Sequence, residues 1–590
     1  MKNKIIQVFN FFSIIILLGC TQQEKSARST AADEKSLTYT ELVSPFRLNH
    51  VGFLPDAKKF FVVDDPPEKT FHLLEIREDV KWHQVYEGQI EKKESEMPGE
   101  WIGEFTLVNK PGMYKIQCGN KYSRPFQIHA KVYDIPQRML FTCFTWQRCG
   151  SKKGWAGECH MNDGIIKETG EHKDFSGGYH QSCDLRKSLD GVAIGIIGMI
   201  KYALSEKPNW DDGIIAEEIK WACDYYMKVI HPDGYMHDGL FVPFGWDARY
   251  YYNTPAAPSE QWNSIRLLAL GAQYFNKYGD LAYADKCMAS ALRVWNFMIS
   301  DARPENSYKP PDLIPRGLEN ALNNYFQTYK GSADDIDLQL SAAAELYRAS
   351  KKLDFLDILA DCADRYCQLQ VGIKGTLNEN PVGAYFWEHP DTLRFAGMST
   401  SYTTLMGLGL CEAIELLPGR KSSHEIWKEA LEKIITQQQS MAGRNIWGQI
   451  PYKWVINNKQ SGYLPGGLVL FKSQELPCYY TYGTRRSNSR MSYQGILLIK
   501  AARILNQPGL KGFAQRQADW ILGANPYDGS SVTGVGYNQP YLPMYGQFFP
   551  HTPQIPGAVI VGIPDGVEYD MPCTGNLMWL LSEITTPGAL

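Results

Sequence analysis

Beyond about Pro136 the chain repeats one pattern that decides its architecture. Apolar residues recur at i, i+3 and i+4 over 192–204, 216–230, 264–278, 282–299, 336–349, 355–370, 401–416, 424–439, 492–505 and 512–522. That periodicity predicts amphipathic helices. Gly- and Pro-rich loops separate them, several long and aromatic, and loops of that length in a compact body usually carry function. No strand alternates with these helices, so they must bury their apolar faces on one another. Roughly twelve helices packed as pairs are expected over 135–590.

From Phe46 to about Ala130 the texture differs. Short runs such as Lys59-Phe60-Phe61-Val62-Val63, Thr70-Phe71-His72-Leu73-Leu74, Trp101-Ile102-Gly103-Glu104-Phe105 and Met113-Tyr114-Lys115-Ile116 alternate with turn residues, Pro111-Gly112 among them. Spacing of this kind predicts a small β-sandwich over 44–131.

The first residues are of a third kind. Lys2 and Lys4 precede an apolar run that ends in Leu17-Leu18-Gly19-Cys20. This is the layout of a secretory signal, too short to span a bilayer well. Its ending resembles a bacterial lipobox. A lipoprotein signal over 1–19, a lipidated Cys20, export to a membrane face and a polar tether over 20–43 are therefore expected. A net charge of −4 and the lack of a dense basic stretch argue against a nucleic-acid partner. Thirteen cysteines are scattered without a framework, so buried thiols are expected rather than staples. Trp146, Trp155, Trp246, Tyr250, Tyr251, Tyr252, Trp387 and Trp447 fall between helical stretches, where they line a stacking groove or pack a core.

Several stretches carry a family likeness. Leu48-Asn49-His50-Val51-Gly52-Phe53-Leu54-Pro55 and Ser123-Arg124-Pro125-Phe126-Gln127-Ile128 are similar to the immunoglobulin-like module that precedes many family 9 glycoside hydrolases. Ser176-Gly177-Gly178-Tyr179-His180-Gln181-Ser182-Cys183-Asp184 resembles that family's Gly-Gly-Trp-x-Asp-Ala-Gly-Asp segment. Lys220-Trp221-Ala222-Cys223-Asp224-Tyr225, Asp519-Trp520-Ile521-Leu522-Gly523-Ala524-Asn525-Pro526 and Ile555-Pro556-Gly557-Ala558-Val559 follow in the family's order. The resemblance implies an immunoglobulin-like β-sandwich followed by an (α/α)6 toroid, the six-hairpin glycosidase fold. It also implies inverting hydrolysis of a β-linked glycan, with no cofactor in the reaction.

Inversion needs one carboxylate to activate water and one carboxylic acid to protonate the leaving oxygen. The resemblance assigns the base to Asp184, which as a plain residue could equally cap the following helix. Gln181 stands where the family has a second water-holding Asp, and Tyr179 and His180 flank it as candidate sugar contacts. Counting to the family's acid gives Asn576-Leu577, and leucine cannot donate a proton. Glu568 and Asp570 before the last helix, or Glu583 within it, are the substitutes. Arg485, Asn488 and Tyr537 are further candidate substrate contacts. Arg485 and Arg486 either fork an acidic sugar or belong to a solvated surface. Cys149, Cys159 and His160 match a zinc site of some family members, whose fourth ligand would fall at Lys187. His172 or His180 is left to replace it, and reduced packed thiols are the alternative. A glycan-binding lipoprotein that has lost its acid is the competing reading.

Overall fold

The computed structural model describes residues 44–162, 164–166, 168–183, 185–205, 208, 210–239, 250–300, 331–370, 386–387, 395–396, 405–455, 470–472, 479–482, 487–540, 554–563 and 568–586. Nine strands come first: β1 (Phe46–Arg47), β2 (Gly52–Phe53), β3 (Phe60–Val63), β4 (Thr70–Ile76), β5 (Trp82–Lys92), β6 (Trp101–Glu104), β7 (Gly112–Cys118), β8 (Lys121–Tyr122) and β9 (Phe126–Ile128). Their order is β1-β3-β6-β5-β4-β7-β9-β2, with β8 beside β7. The long β5 pairs with β4 through Gln89 and with β6 from Ile90. It thereby passes from one layer to the other, and both layers share a core built on Phe46, Phe61, Phe71, Phe105, Phe126 and Ile116.

Twelve helices follow among the described residues: α1 (Asp134–Trp146), α2 (Leu189–Ser205), α3 (Ile214–Lys228), α4 (Pro258–Tyr278), α5 (Leu281–Ile299), α6 (Ala333–Ser350), α7 (Asp354–Gln368), α8 (Leu408–Leu416), α9 (Lys421–Ala442), α10 (Ser487–Ile504), α11 (Leu510–Ile521) and α12 (Met571–Thr585). The even-numbered six touch in sequence, α2 to α4 to α6 to α8 to α10 to α12 and back to α2, and so close an inner ring. The odd-numbered helices pack outside it. This is the (α/α)6 toroid expected above. Most inner helices begin three to six residues before the apolar pattern does, because their first turns carry polar residues such as Ser259, Asp334 and Asn488. The helix expected over 401–416 is shorter and starts after Gly407, and 401–404 lie outside the described residues.

Both ends of the inner ring are tied by polar side chains. At one end Lys201 of α2 pairs with Glu345 of α6 at 2.5 Å, and Gln273 of α4 donates to the same carboxylate at 2.9 Å. Arg348 of α6 bonds Glu412 of α8, and Lys500 of α10 reaches Glu412 at 3.2 Å and Glu415 at 3.1 Å. Arg503 of α10 pairs with Glu583 of α12, and Lys201 lies over the Trp579 ring of α12. All these residues belong to the C-terminal halves of their helices, so the six inner helices run parallel and their N-termini meet at the opposite end.

At that opposite end the links run through shorter side chains. Asp190 of α2 accepts from Ser259 and Asn263 of α4 at 2.7 and 3.2 Å. Asp337 of α6 accepts from the backbone N–H groups of Gly407 and Gly409 at 2.7 and 2.8 Å. Burial raises the Asp337 carboxyl to about 7 and the Asp190 carboxyl to about 6.

The sandwich is wedged into the toroid. The ring of His50 fits against Gly523 and Gly536, where an added Cβ would come within 2.3 and 2.8 Å of it. Its Nε2 meets Asp528 at 3.1 Å, and Asn49 donates to Asp519 at 2.8 Å. Trp447, a candidate groove residue by sequence, instead donates to the Pro98 carbonyl at 2.7 Å and packs this joint. The described cysteines are buried thiols, as expected.

Two outcomes follow. Glu412→Ala removes the buried carboxylate shared by Arg348 and Lys500, leaving them only Glu345 and Glu415, and should lower unfolding stability by about 3 kcal/mol in chemical denaturation. The pH profile of Tm tests the carboxyls. Glu412 is held well below the ordinary glutamate range, with its Arg and Lys partners outweighing a burial effect of opposite sign, so its contribution is lost only in acid. Asp190 and Asp337 have raised values, so stability is full below the unfolded aspartate range and falls as pH rises through about 6 and 7. The Tm maximum should therefore lie on the acid side of neutrality.

Candidate functional site

The segment 177–183 runs along the stretch Gln147–Cys149 and reaches the N-terminus of α12. His180 N–H donates to the Gln147 carbonyl at 2.8 Å, and Cys149 N–H donates to the Gly178 carbonyl at 2.9 Å. Gly178 has φ of +71°, and a Cβ there would enter the Tyr225 ring at 2.6 Å, so glycine is required. The Gln181 carbonyl accepts from Met571 N–H, the first residue of α12, at 3.0 Å. Ser182 Oγ donates to Glu568 Oε2 at 3.5 Å. Residues 180–183 and Glu568–Asp570 thus form one patch at the mouth of the inner ring. Asp184 follows directly in sequence but lies outside the described residues, as do Arg485 and Cys20.

The carboxyl candidates separate clearly. Glu568 is buried beside Ser182, and its carbonyl accepts from Val561 N–H. Asp570 is the N-cap of α12. Glu583 sits about 18 Å along α12 at 1.5 Å per residue, paired with Arg503 and Trp579. That places it in the charged ring at the far end, which removes it as an acid. Leu577 is fully buried in the second turn of α12, while Asn576 donates to Ser489 Oγ at 2.9 Å.

Four proposed substrate contacts prove to be packed within the protein. Tyr179 is buried and donates to Glu218 at 2.8 Å, inside a bidentate Arg148–Glu218 pair. Asn488 is buried and donates to the Ile560 carbonyl at 2.8 Å. Tyr537 stacks on His50 at 3.7 Å and donates to Asp528 at 2.9 Å, so it belongs to the joint with the sandwich. Gln181 packs its amide against Gly191 at the start of α2, where a Cβ would come within 2.3 Å. Of the aromatic candidates, Trp155 donates to Gln147, and Trp146 ends α1 partly exposed.

His180, the fifth of these candidates, belongs to a different cluster. Cys149, Cys159, His160 and His180 are all buried, with ligand atoms within 4.8 Å of one another. The sulfurs lie 3.8 Å apart, Cys149 Sγ is 3.5 Å from His160 Nδ1, and Cys159 Sγ is 3.4 Å from His180 Nε2. A tetrahedron with Zn–S near 2.3 Å and Zn–N near 2.05 Å has edges of about 3.8 and about 3.5 Å. The four residues fit zinc. The hydrogen bond with Cys149 holds the Cys159 thiol down at about 6, which favours the thiolate a metal needs. Lys187 turns instead to the Phe175 carbonyl, and His172 is exposed. Sequence spacing could not choose His180, because the pairing of Arg148 with Tyr179 that brings it to Cys159 is long-range.

Comparisons with known proteins agree with this fold. The model of glycosyl hydrolase family 9 matches residues 133–551, and that of the cellulase N-terminal ig-like domain matches 43–123. A cellodextrinase of Butyrivibrio fibrisolvens is 23% identical over 532 residues, covering 84% of this chain and 86% of that protein. Endoglucanase D of Acetivibrio thermocellus is 23% identical over 349 residues, 53% of each. Among solved structures, a metagenome-derived family 9 endoglucanase superposes with a TM-score of 0.65 at 19% identity, covering 92% of this chain and 99% of that one. A Zn-binding triple mutant of another family 9 endoglucanase gives 0.65 at 17%, covering 90% and 99%.

The place of Tyr537 in the joint has a direct consequence. Tyr537→Phe should cost about 1 kcal/mol of stability and leave KM unchanged, as urea unfolding and steady-state kinetics would read.

Proposed function

The chain belongs to glycosyl hydrolase family 9, and on that footing we propose that it hydrolyses a β-linked glucan by inversion, with Asp184 as base and Glu568 as acid. The contact of Ser182 with Glu568 carries this reading, because it sets a carboxyl against the segment that leads directly into Asp184. The base takes a proton from water as that water attacks the anomeric carbon. Glu568 gives its proton to the departing oxygen, so the two carboxyls exchange protonation states over one turnover. Asp570 is less suited to the acid role, since the N-terminus of a helix favours negative charge.

Leaving-group dependence tests the acid. Glu568→Gln should lose about 10²–10⁴-fold on cello-oligosaccharides and retain turnover of aryl glucosides whose phenol leaves unaided. Equal loss on both, or the same pattern from Asp570→Asn in its place, would refute the assignment. Glucan binding with no release of reducing ends by the parent protein would instead mark a glycan-binding lipoprotein.

Two further roles belong to this reading. Cys149, Cys159, His160 and His180 would hold one zinc ion, a closed four-ligand site that cross-links the loop and leaves no position for substrate. Cys20 would carry the lipid that fixes the protein to a membrane face. Cys20→Ser should move it from the membrane to the soluble fraction on cell fractionation, and an unchanged distribution would contradict the anchor.

A further inference from the structure

We propose that the metal centre and the acid Glu568 are one mechanical unit, joined by His180-Gln181-Ser182, with Ser182 as the positioning residue for Glu568. The inference rests on the acid and zinc readings above. The fourth metal ligand stands four residues before Asp184, where the family resemblance implies a histidine three residues after it. That change matters because of what the next two residues do.

His180 offers Nε2 to the cluster at 3.4 Å from Cys159 Sγ, while its own N–H is fixed to the Gln147 carbonyl. Gln181 is bonded at both backbone groups, its N–H to the Arg186 carbonyl at 2.6 Å and its carbonyl to Met571 N–H at 3.0 Å. Ser182 then reaches Glu568 Oε2. From the ligand ring to the proposed acid there are two residues, both buried, with no loop between them to absorb a shift. A change of Cys159 or His160 within the cluster is therefore passed through His180 to the first turn of α12 and to the Glu568 carboxyl. Outer partners that orient reacting groups commonly matter 10–100-fold.

The test uses the full chain, zinc alone as the probe, and four variants. His180→Ala should lower bound zinc, measured by atomic emission, from one equivalent towards none, while Lys187→Ala and His172→Ala keep one. Chelated protein that retains its far-UV dichroism should lose roughly tenfold on cello-oligosaccharides and keep turnover of good-leaving-group aryl glucosides, and zinc should restore it. Ser182→Ala should show the same selective loss with zinc content and Tm at the parent's values, and added zinc should not restore it. If the metal-free protein loses Tm alone, with unchanged leaving-group dependence, the coupling is overturned. It is equally overturned if Ser182→Ala matches the parent on every substrate, or if Lys187→Ala rather than His180→Ala loses the metal. Should Glu568→Gln itself show no leaving-group signature, the acid assignment fails first and the coupling falls with it.

Discussion

The fold depends on a neutral ring of buried and half-buried charge. Lys201, Arg348, Lys500 and Arg503 face Glu345, Glu412, Glu415 and Glu583 near the C-terminal ends of the inner helices. Burying these charges costs a great deal unless each is paired, and apolar residues could have filled the same space with less penalty. What pairing supplies is register. A leucine tolerates sliding along its neighbour, whereas a lysine shared by Glu412 and Glu415 fixes the height of α10 against α8. Cations at this end also suit the negative ends of six parallel helix dipoles.

Register at the closed end determines geometry at the open one. Because the helices are parallel and fixed in height, Asp190, Asp337 and the first residues of α10 and α12 arrive at the same level. The Gln181 carbonyl can then meet Met571 N–H, and the residues just before α12 can place Glu568 beside Ser182. The sandwich adds a second fixed point. His50 fills the space that Gly523 and Gly536 leave, and Glu96 accepts from Tyr480 and Tyr482 at 2.7 and 3.2 Å, steadying the strand that leads towards α10. The sandwich therefore braces two segments of the toroid that lie near the mouth in sequence.

Much of this was legible from the residues. Helical periodicity located ten of the twelve helices, and ordered motifs identified the toroid and the sandwich. α1 escaped because its i, i+3, i+4 repeat, Leu140-Cys143-Phe144, is a single turn long and follows the helix-start residues Pro136, Gln137 and Arg138. The 82–92 strand escaped because its exposed face is polar and its charge breaks the apolar run. Site residues were read less well. Tyr179, Asn488 and Tyr537 carry groups that suit a sugar, but those groups are bonded to Glu218, the Ile560 carbonyl and Asp528. Polar residues near a motif serve the scaffold as readily as the substrate, and only long-range pairing distinguishes the two. The same limit left His180 as one of two candidate fourth ligands beside His172, while Cys149, Cys159 and His160 were named outright.

The departure at Leu577 becomes intelligible from the helix that contains it. α12 begins at Met571, so position 577 lies in its second turn, and Leu577 and Met578 are fully buried between Asn576 and Trp579. Backbone contact sets that depth, for a Cβ on Gly575 would come within 2.0 Å of the Gly195 carbonyl of α2. A carboxyl at 577 would have to share that close-packed crossing, and leucine fills it at no polar cost. Chemistry can then come only from before the helix, where Ile560 bridges Tyr569 and Val559 accepts from Asp570 N–H. That pairing holds Glu568 against residues 559–561 and beside residue 182. A proton donor there does not depend on the helix interior, but it does depend on the segment opposite. That is why the metal ligand on this segment bears on the reaction in this protein.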